Sequence, residues 1–320
     1  MTPTRTPGAE PATLMGPGWQ PRSGCHRDEM GTIWADFGVC SEVDPLTAVL
    51  LTWPGDGLRF EGEPAAWLMH ARPDLERMRE EALGLAEAYE SAGAAVHWLR
   101  PAGAAPPNLV FARDLVFMTP EGAVLARMAA QQRAGEERLA AAVLAGLGIP
   151  ILATPTARAT FEGADALWFR PDLVVVGVGR RTNVGGYEVV RRALADQNVE
   201  CVAVPLSPRV QHLLGSVNFV SAQLAVVREP SAELGEVLVR LGIVAMDLDD
   251  DPATAREVLE GRANNFVTLR PGTVLLPAGC PATRARLLAE GVQVVERPVG
   301  EYLCAAGGIG CATGILGRRG

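Results

Sequence analysis

The feature that most narrows the fold of this chain is a recurring order of parts. A short apolar hairpin comes first, then an amphipathic helix, then one more apolar strand. Val116-Phe-Met and Ala123–Ala126 read as a hairpin across Pro120-Glu-Gly122, followed by a helix over Glu136–Leu147 and a strand from Ile151. Ala166–Phe169 and Leu173–Gly177 repeat the hairpin around Arg170-Pro-Asp172, with a helix over Tyr187–Gln197 and a strand over Glu200–Val204. Phe219–Ala222 with Leu224–Val227 and Asn265–Leu269 with Thr273–Leu276 begin the same order again, and helices follow at 231–241 and 284–290. Earlier in the chain, Thr47–Trp53 and Ala94–Leu99 read as strands flanking a helix over Leu75–Ala92, with Leu83, Leu85, Ala86 and Tyr89 on its apolar stripe. Each ββαβ unit is too small to bury its own face, so the units must share a core. This predicts one pseudosymmetric α/β domain; an ordinary α/β sandwich is the competing arrangement.

Composition sets the limits. The chain has 320 residues, 48% of them hydrophobic, enough for a large core. Residues 1–35 read as an N-terminal extension, with a potential lid role for Cys25 and His26, and residues 36–320 as the catalytic domain. The net charge of −8 argues against nucleic acid or an anionic membrane as partner. All 29 basic residues are Arg, so Schiff-base chemistry and a P-loop lysine are excluded. The six Cys form no Cys-x-x-Cys pair, and with four His there is no zinc spacing, so no metal is expected. No apolar run approaches a membrane span and no signal peptide precedes the domain, which predicts a cytoplasmic protein.

The chemistry-bearing residues interrupt apolar sequence. Cys311 lies in Gly307-Gly-Ile-Gly-Cys-Ala-Thr-Gly314, where glycines let backbone approach a ligand closely. Asp114 ends Asn108-Leu-Val-Phe-Ala-Arg-Asp just before a strand, where a carboxylate can grip a cation, although Arg113 and Asp114 also fit a solvated turn. Glu162 and Asp165 stand in Phe161-Glu-Gly-Ala-Asp, again ahead of a hairpin; a β-turn with a capping Asp is the alternative. His212 has better surroundings for proton transfer than His26, His70 or His97. Arg133 and Arg181 offer planar forks suited to a carboxylate, or are surface charges in an Arg-rich chain. Asn265 reads as structural. A thiol, an imidazole and several carboxylates together are the inventory of a nucleophilic cysteine enzyme acting on a cation.

Taken in order, these segments resemble the guanidino-group-modifying superfamily, which holds the arginine and agmatine deiminases, the dimethylarginine dimethylaminohydrolases and the amidinotransferases. The motifs run from about Val39 to Leu316: Asn-Leu-Val-Phe-Ala-Arg-Asp, Ala-Arg-Met with Arg133 and Glu136, Glu-Gly-Ala-Asp, Gly-Val-Gly-Arg-Arg-Thr-Asn, Gln-His-Leu, Ala-Asn-Asn and Gly-Gly-Ile-Gly-Cys. The resemblance implies a five-bladed α/β propeller and covalent catalysis without metal or cofactor. By that analogy Cys311 attacks the guanidinium carbon, Asp114 and Glu162 hold the guanidinium, and His212 protonates the departing nitrogen. Arg133 and Arg181 match carboxylate-binding positions, and Asp165 is a further substrate contact. Deiminases and amidinotransferases usually carry His-x-Asp; here the third position is Leu214, as in the dimethylarginine hydrolases. The resemblance therefore implies hydrolysis of arginine or a methylated arginine to a ureido product. The other readings are an amidinotransferase using an amine acceptor and a catalytically silent binding relative. The expected partner is a small guanidino compound, with a homodimer also compatible.

Overall fold

A computed structural model describes residues 14–16, 18–103 and 105–319. The described residues form five three-stranded sheets. The chain enters the first with β1 (Leu46–Thr52), passes through the helix Leu75–Ser91 and returns as β2 (Ala95–Leu99), parallel to β1. Four complete units follow. The second holds β3 (Val116–Thr119), β4 (Gly122–Leu125) and β5 (Ile151–Ala153), and the third β6 (Ala166–Arg170), β7 (Leu173–Val178) and β8 (Glu200–Pro205). The fourth holds β9 (Val217–Ser221), β10 (Leu224–Val227) and β11 (Val244–Asp247), and the fifth β12 (Val267–Arg270), β13 (Thr273–Pro277) and β14 (Gln293–Arg297). In each the first two strands form an antiparallel hairpin, and the third joins parallel after a helical crossover. The last strand, β15 (Gly314–Arg318), pairs antiparallel with β1.

β15 thus takes in the first sheet the place that β3, β6, β9 and β12 take in theirs. The first unit is built from both ends of the chain, and the five sheets are separate ββαβ units rather than one continuous barrel. This is the unit order expected of the five-bladed arrangement. β3, β4 and β13 are buried at every position, which explains their unbroken apolar runs. β11, β15 and the helix Pro252–Leu259 are elements the apolar pattern does not signal. In the first long helix the buried stripe is Leu75, Met78, Ala82, Leu85, Ala86 and Tyr89, while Leu83, expected on it, is 53% exposed. That helix starts at Asp74, whose carboxylate accepts from the backbone N–H groups of Glu76 and Arg77.

The described part of the N-terminal segment packs near the hairpin-turn end of the second unit. Ala35 N donates to Gly148 O, and Arg27 lines a small cavity with Pro120 and Glu121. None of the described residues before Val39 lines a cavity that reaches Cys311; the loop over that region comes from Ala65 and Leu68–His70. The lid role expected for Cys25 and His26 finds no counterpart there, and residues 1–13 lie outside the described residues.

Short 3-10 turns lead into β3, β6 and β9: Ala112–Leu115, Gly163–Asp165 and Leu213–Gly215. They converge, and Gly163 shows how tightly. A Cβ there would lie 2.4 Å from Val116 O and 2.7 Å from Arg113 O, both backbone atoms. Only glycine lets the turn carrying Glu162 and Asp165 seat against the turn carrying Asp114. Gly163→Ala is accordingly expected to cost about 1–3 kcal/mol by overpacking against atoms that cannot rotate away. Urea denaturation checks this, and an unchanged midpoint would show that the contact is not required.

Candidate active site

One side chain from each unit meets at the centre, and each comes from the segment entering the first strand of its unit. Asp114 precedes β3, Glu162 precedes β6, His212 precedes β9, Asn265 precedes β12 and Cys311 precedes β15. The pseudosymmetry of the fold is therefore what assembles them.

Glu162, at 0% exposure, is the hub. Its Oε2 lies 2.7 Å from His212 Nε2, and its Oε1 accepts from Ala129 N at 3.1 Å and from Arg181 Nη1 at 3.5 Å. Arg133 Nη1 stands 3.9 Å from Oε2. Asp114 accepts from Arg133 Nη1 through Oδ2, while its Oδ1 is buried without a hydrogen-bond partner and lies 3.8 Å from His212 Nδ1. The solvated-turn alternative for Arg113 and Asp114 fails, since both are buried. Arg113 points the other way, onto Glu42 at 3.1 Å.

Asp165 has a different job from the substrate contact expected of it. Its Oδ1 accepts from Leu213 N at 2.9 Å and its Oδ2 from Thr182 Oγ1 at 2.6 Å, and it lines neither central cavity. It fixes the His212 turn from behind. Thr182 Oγ1 also accepts from Glu162 N at 3.2 Å, so one buried hydroxyl ties the two acidic positions together. Arg133 also departs from the expected free fork. Its Nε and Nη2 bind Glu136 Oε2 at 3.0 and 2.8 Å, and with Asp114 on Nη1 the guanidinium is committed to protein acids. Arg181 keeps donors toward the cavity, its side chain 16% exposed.

Cys311 is half-buried. Its Sγ accepts from Asn265 Nδ2 at 3.3 Å, and its backbone N donates to Asn265 Oδ1 at 3.1 Å. Asn265, structural by its sequence context alone, binds both the thiol and the backbone N–H of Cys311. The signal that could have found it is the repeat, which puts it where the other units carry their polar side chains. The glycines around Cys311 also meet a packing demand. A Cβ on Gly307 would stand 2.2 Å from the Phe111 ring, and one on Gly308 2.8 Å from Asn265 Cγ.

The electrostatics follow from burial against pairing. Burial alone would lower the His212 ring, but Asp114, Asp165 and Glu162 outweigh it and raise it from 6.5 to about 9. Glu162 moves the opposite way: burial works against its charge, yet the hydrogen bond to His212 and the nearby guanidinium groups hold it below the usual carboxylate range. The pair is imidazolium and carboxylate at neutral pH. Burial raises Asp165 and Glu136 to about 7 each. Burial, and then the charge of Asp114, push the Cys311 thiol up, while Asn265 and Arg133 pull it back. Asp114, Glu162 and His212 each offer an atom within 4.8 Å of the others, a spacing a metal ion could also use. The cations set against these acids are Arg133, Arg181 and the His212 ring.

Cys311 stands where two cavities meet. One, of about 370 Å³, is lined by Asn108, Asp114, Arg133 and Arg181 among others. The second, of about 350 Å³, is lined by His212, Leu214, Asn265 and Arg228 among others. A thiol, an imidazolium, the Asp114 carboxylate and a donor-rich wall where these cavities meet can hold a small planar cation and attack it.

Comparison with known proteins bears on the family and the fold. Residues 103–229 match the family model described as arginine deiminase. An uncharacterized protein of Aeropyrum pernix is 31% identical over 227 residues, covering 70% of this chain and 78% of that protein. An arginine deiminase of Mycolicibacterium gilvum is 28% identical over 66% of this chain and 61% of its own length, so the match spans about three fifths of that relative. Among solved structures, the DDAH of Pseudomonas aeruginosa, complexed with citrulline, superposes with a TM-score of 0.69 at 20% identity, covering 84% of this chain and 99% of that one. SxtG, an amidinotransferase from Microseira wollei, superposes with a TM-score of 0.69 at 16% identity, covering 89% of this chain and 98% of that one. No helix among the described residues is long and apolar enough to cross a membrane.

The raised His212 value makes a stability prediction. A group bound more tightly to its proton in the folded state stabilises fully below its unfolded value, and that contribution is lost as pH rises through the folded one. The melting temperature is expected to fall between pH 6.5 and about 9. His212→Asn should flatten that slope in a thermal-shift titration, and an unchanged slope would contradict the ion pair.

Proposed function

Because this chain belongs to the guanidino-group-modifying superfamily, we propose that it hydrolyses the guanidino group of an arginine-like compound through a covalent intermediate on Cys311. The observation that carries this reading is the His212–Glu162 pair at 2.7 Å beside Asp114, with Cys311 held by Asn265 at the edge of the same opening.

The steps follow from charge. An incoming guanidinium brings one positive charge to a cavity lined by Asp114, and the unpartnered Asp114 Oδ1 can accept from it. A cation beside Cys311 offsets the burial that disfavours its thiolate. The thiolate adds to the guanidinium carbon, and a C–N bond breaks with its electron pair going to the departing nitrogen. With Nε2 facing Glu162, the Nδ1–H of the His212 ring supplies the proton that nitrogen needs. What remains on sulfur is a thiouronium. The neutral ring then takes a proton from water, oxygen adds to the same carbon, and the C–S bond breaks to give a ureido product and the thiolate. The second proton of that water is released as the ureido product forms and passes through solvent to the departed amine, so the net change is guanidinium plus water to ureido compound plus ammonium.

Arg181, with donors facing the cavity, suits the substrate's carboxylate. Arg133 contributes by holding Asp114 and offsetting the acid cluster. Glu162 and Asp165 orient His212. Leu214 beside His212 leaves an apolar wall in place of a second acid, which favours a substituted guanidinium and weighs against amidino transfer.

The test is turnover of arginine and methylated arginines to ureido product by wild type and Cys311→Ser. The variant is expected to retain less than about a thousandth of the activity, because removing the nucleophile removes the covalent route. Acid-quenched wild type should carry the thiouronium mass on the peptide containing Cys311. Silence across all guanidino compounds would sink the reading.

A further inference from the structure

The two cavities that meet at Cys311 are not equivalent, and their difference bears on which part of a substrate leaves. Asp114, Arg133 and Arg181 line the first cavity only, and His212 and Leu214 line the second only. The departing nitrogen has to face its proton donor, so on the mechanism above the leaving group enters the second cavity. That cavity measures about 350 Å³. Ammonia is about the size of a water molecule, whose share of liquid volume is about 30 Å³. The space far exceeds what the departure of ammonia needs.

The walls indicate what could fill it. Leu214, Val210, Val258 and Leu259 give the cavity apolar surface. No Asp or Glu occurs among the described residues lining it, while Arg209, Arg228 and His212 do. Arg209 is paired with Glu229 at 3.1 Å. Arg228 makes no ion pair among the described residues, and its Nε is buried without a hydrogen-bond partner. A buried donor left unsatisfied is costly, and an anion is the acceptor that a guanidinium fork fits best.

We infer that the second cavity holds an N-substituent of the guanidino group, a short apolar arm ending in a carboxylate or phosphate that pairs with Arg228. The inference rests on the hydrolase reading. The overall reaction is then a disubstituted guanidinium plus water giving a ureido compound and the arm as a protonated amine. The C–N bond to the arm breaks with its electron pair on the arm nitrogen, and His212 protonates that nitrogen first. The enzyme's second product is an amine bearing an anion rather than ammonia.

The experiment compares arginines carrying an Nω-propyl, Nω-carboxyethyl or Nω-phosphonoethyl arm, with kcat/KM read from release of the arm amine. Wild type is expected to favour the anionic arms over propyl by about tenfold or more, as a charge-assisted contact allows. Whichever anionic arm is favoured more identifies the anion. In R228M the ratio should fall to near one, and R228K should restore part of it. Calorimetry with the Cys311→Ser protein should show tighter binding of the same anionic compound than of the propyl one. Equal kcat/KM for neutral and anionic arms in wild type would overturn the inference, and so would a preference that survives R228M. Either outcome leaves hydrolysis of unsubstituted arginine standing. Failure to turn over any guanidino compound removes the parent reading and this one together. If R228M does not fold, the wild-type ratio decides alone.

Discussion

Glu162 has no exposed surface, and it keeps its charge because His212, Arg133 and Arg181 surround it. An isolated carboxylate in that position would give up its charge rather than pay for desolvation. The same contact fixes the imidazole, holds it protonated and turns its other ring nitrogen toward the opening. Asp165 supports the arrangement from below through Leu213 N and Thr182. The cluster is a buried ion network with its attractions nearly all used internally. Two of the exceptions, Asp114 Oδ1 and the outward donors of Arg181, border the cavity where a charged ligand would complete the set.

The fold makes this network possible by delivering charged side chains without long loops. Each unit turns into its hairpin at the centre, so a residue just before that strand reaches the axis. Close approach of backbone is the requirement, and glycine meets it at 163, 307 and 308, where any Cβ would meet Val116 O, Phe111 or Asn265. The hairpin turns point away and take the N-terminal segment instead. Site and scaffold are thus kept at opposite ends of the same strands.

Much of this was legible beforehand. The apolar hairpins, their crossover helices and Asp114, Glu162, His212 and Cys311 all stood out, because polar residues inside apolar runs need a reason. The first long helix was readable, but its stripe was not: Leu83 and Leu85 are both apolar, and only its packing against β1, β2, β14 and the helix Gly300–Cys304 says which faces inward. β15 escaped because Gly314-Ile-Leu-Gly-Arg318 has two glycines and no hairpin partner nearby; its partner is β1, at the other end of the chain. Arg133 illustrates a different limit. Its residue type fits a ligand carboxylate, and its partners turn out to be Glu136 and Asp114.

The sequence by itself determined the unit order, the burial demanded by its apolar runs and the set of reactive groups, since these depend on residue type and spacing along one strand or helix. Tertiary structure alone decided who meets whom. Asn265 and Cys311 are 46 positions apart, and Glu162 and His212 are 50 apart. Their contacts exist because pseudosymmetric units place equivalent positions side by side. Local propensity carries no information about that closure, which arises when the two ends of the chain pair in one sheet.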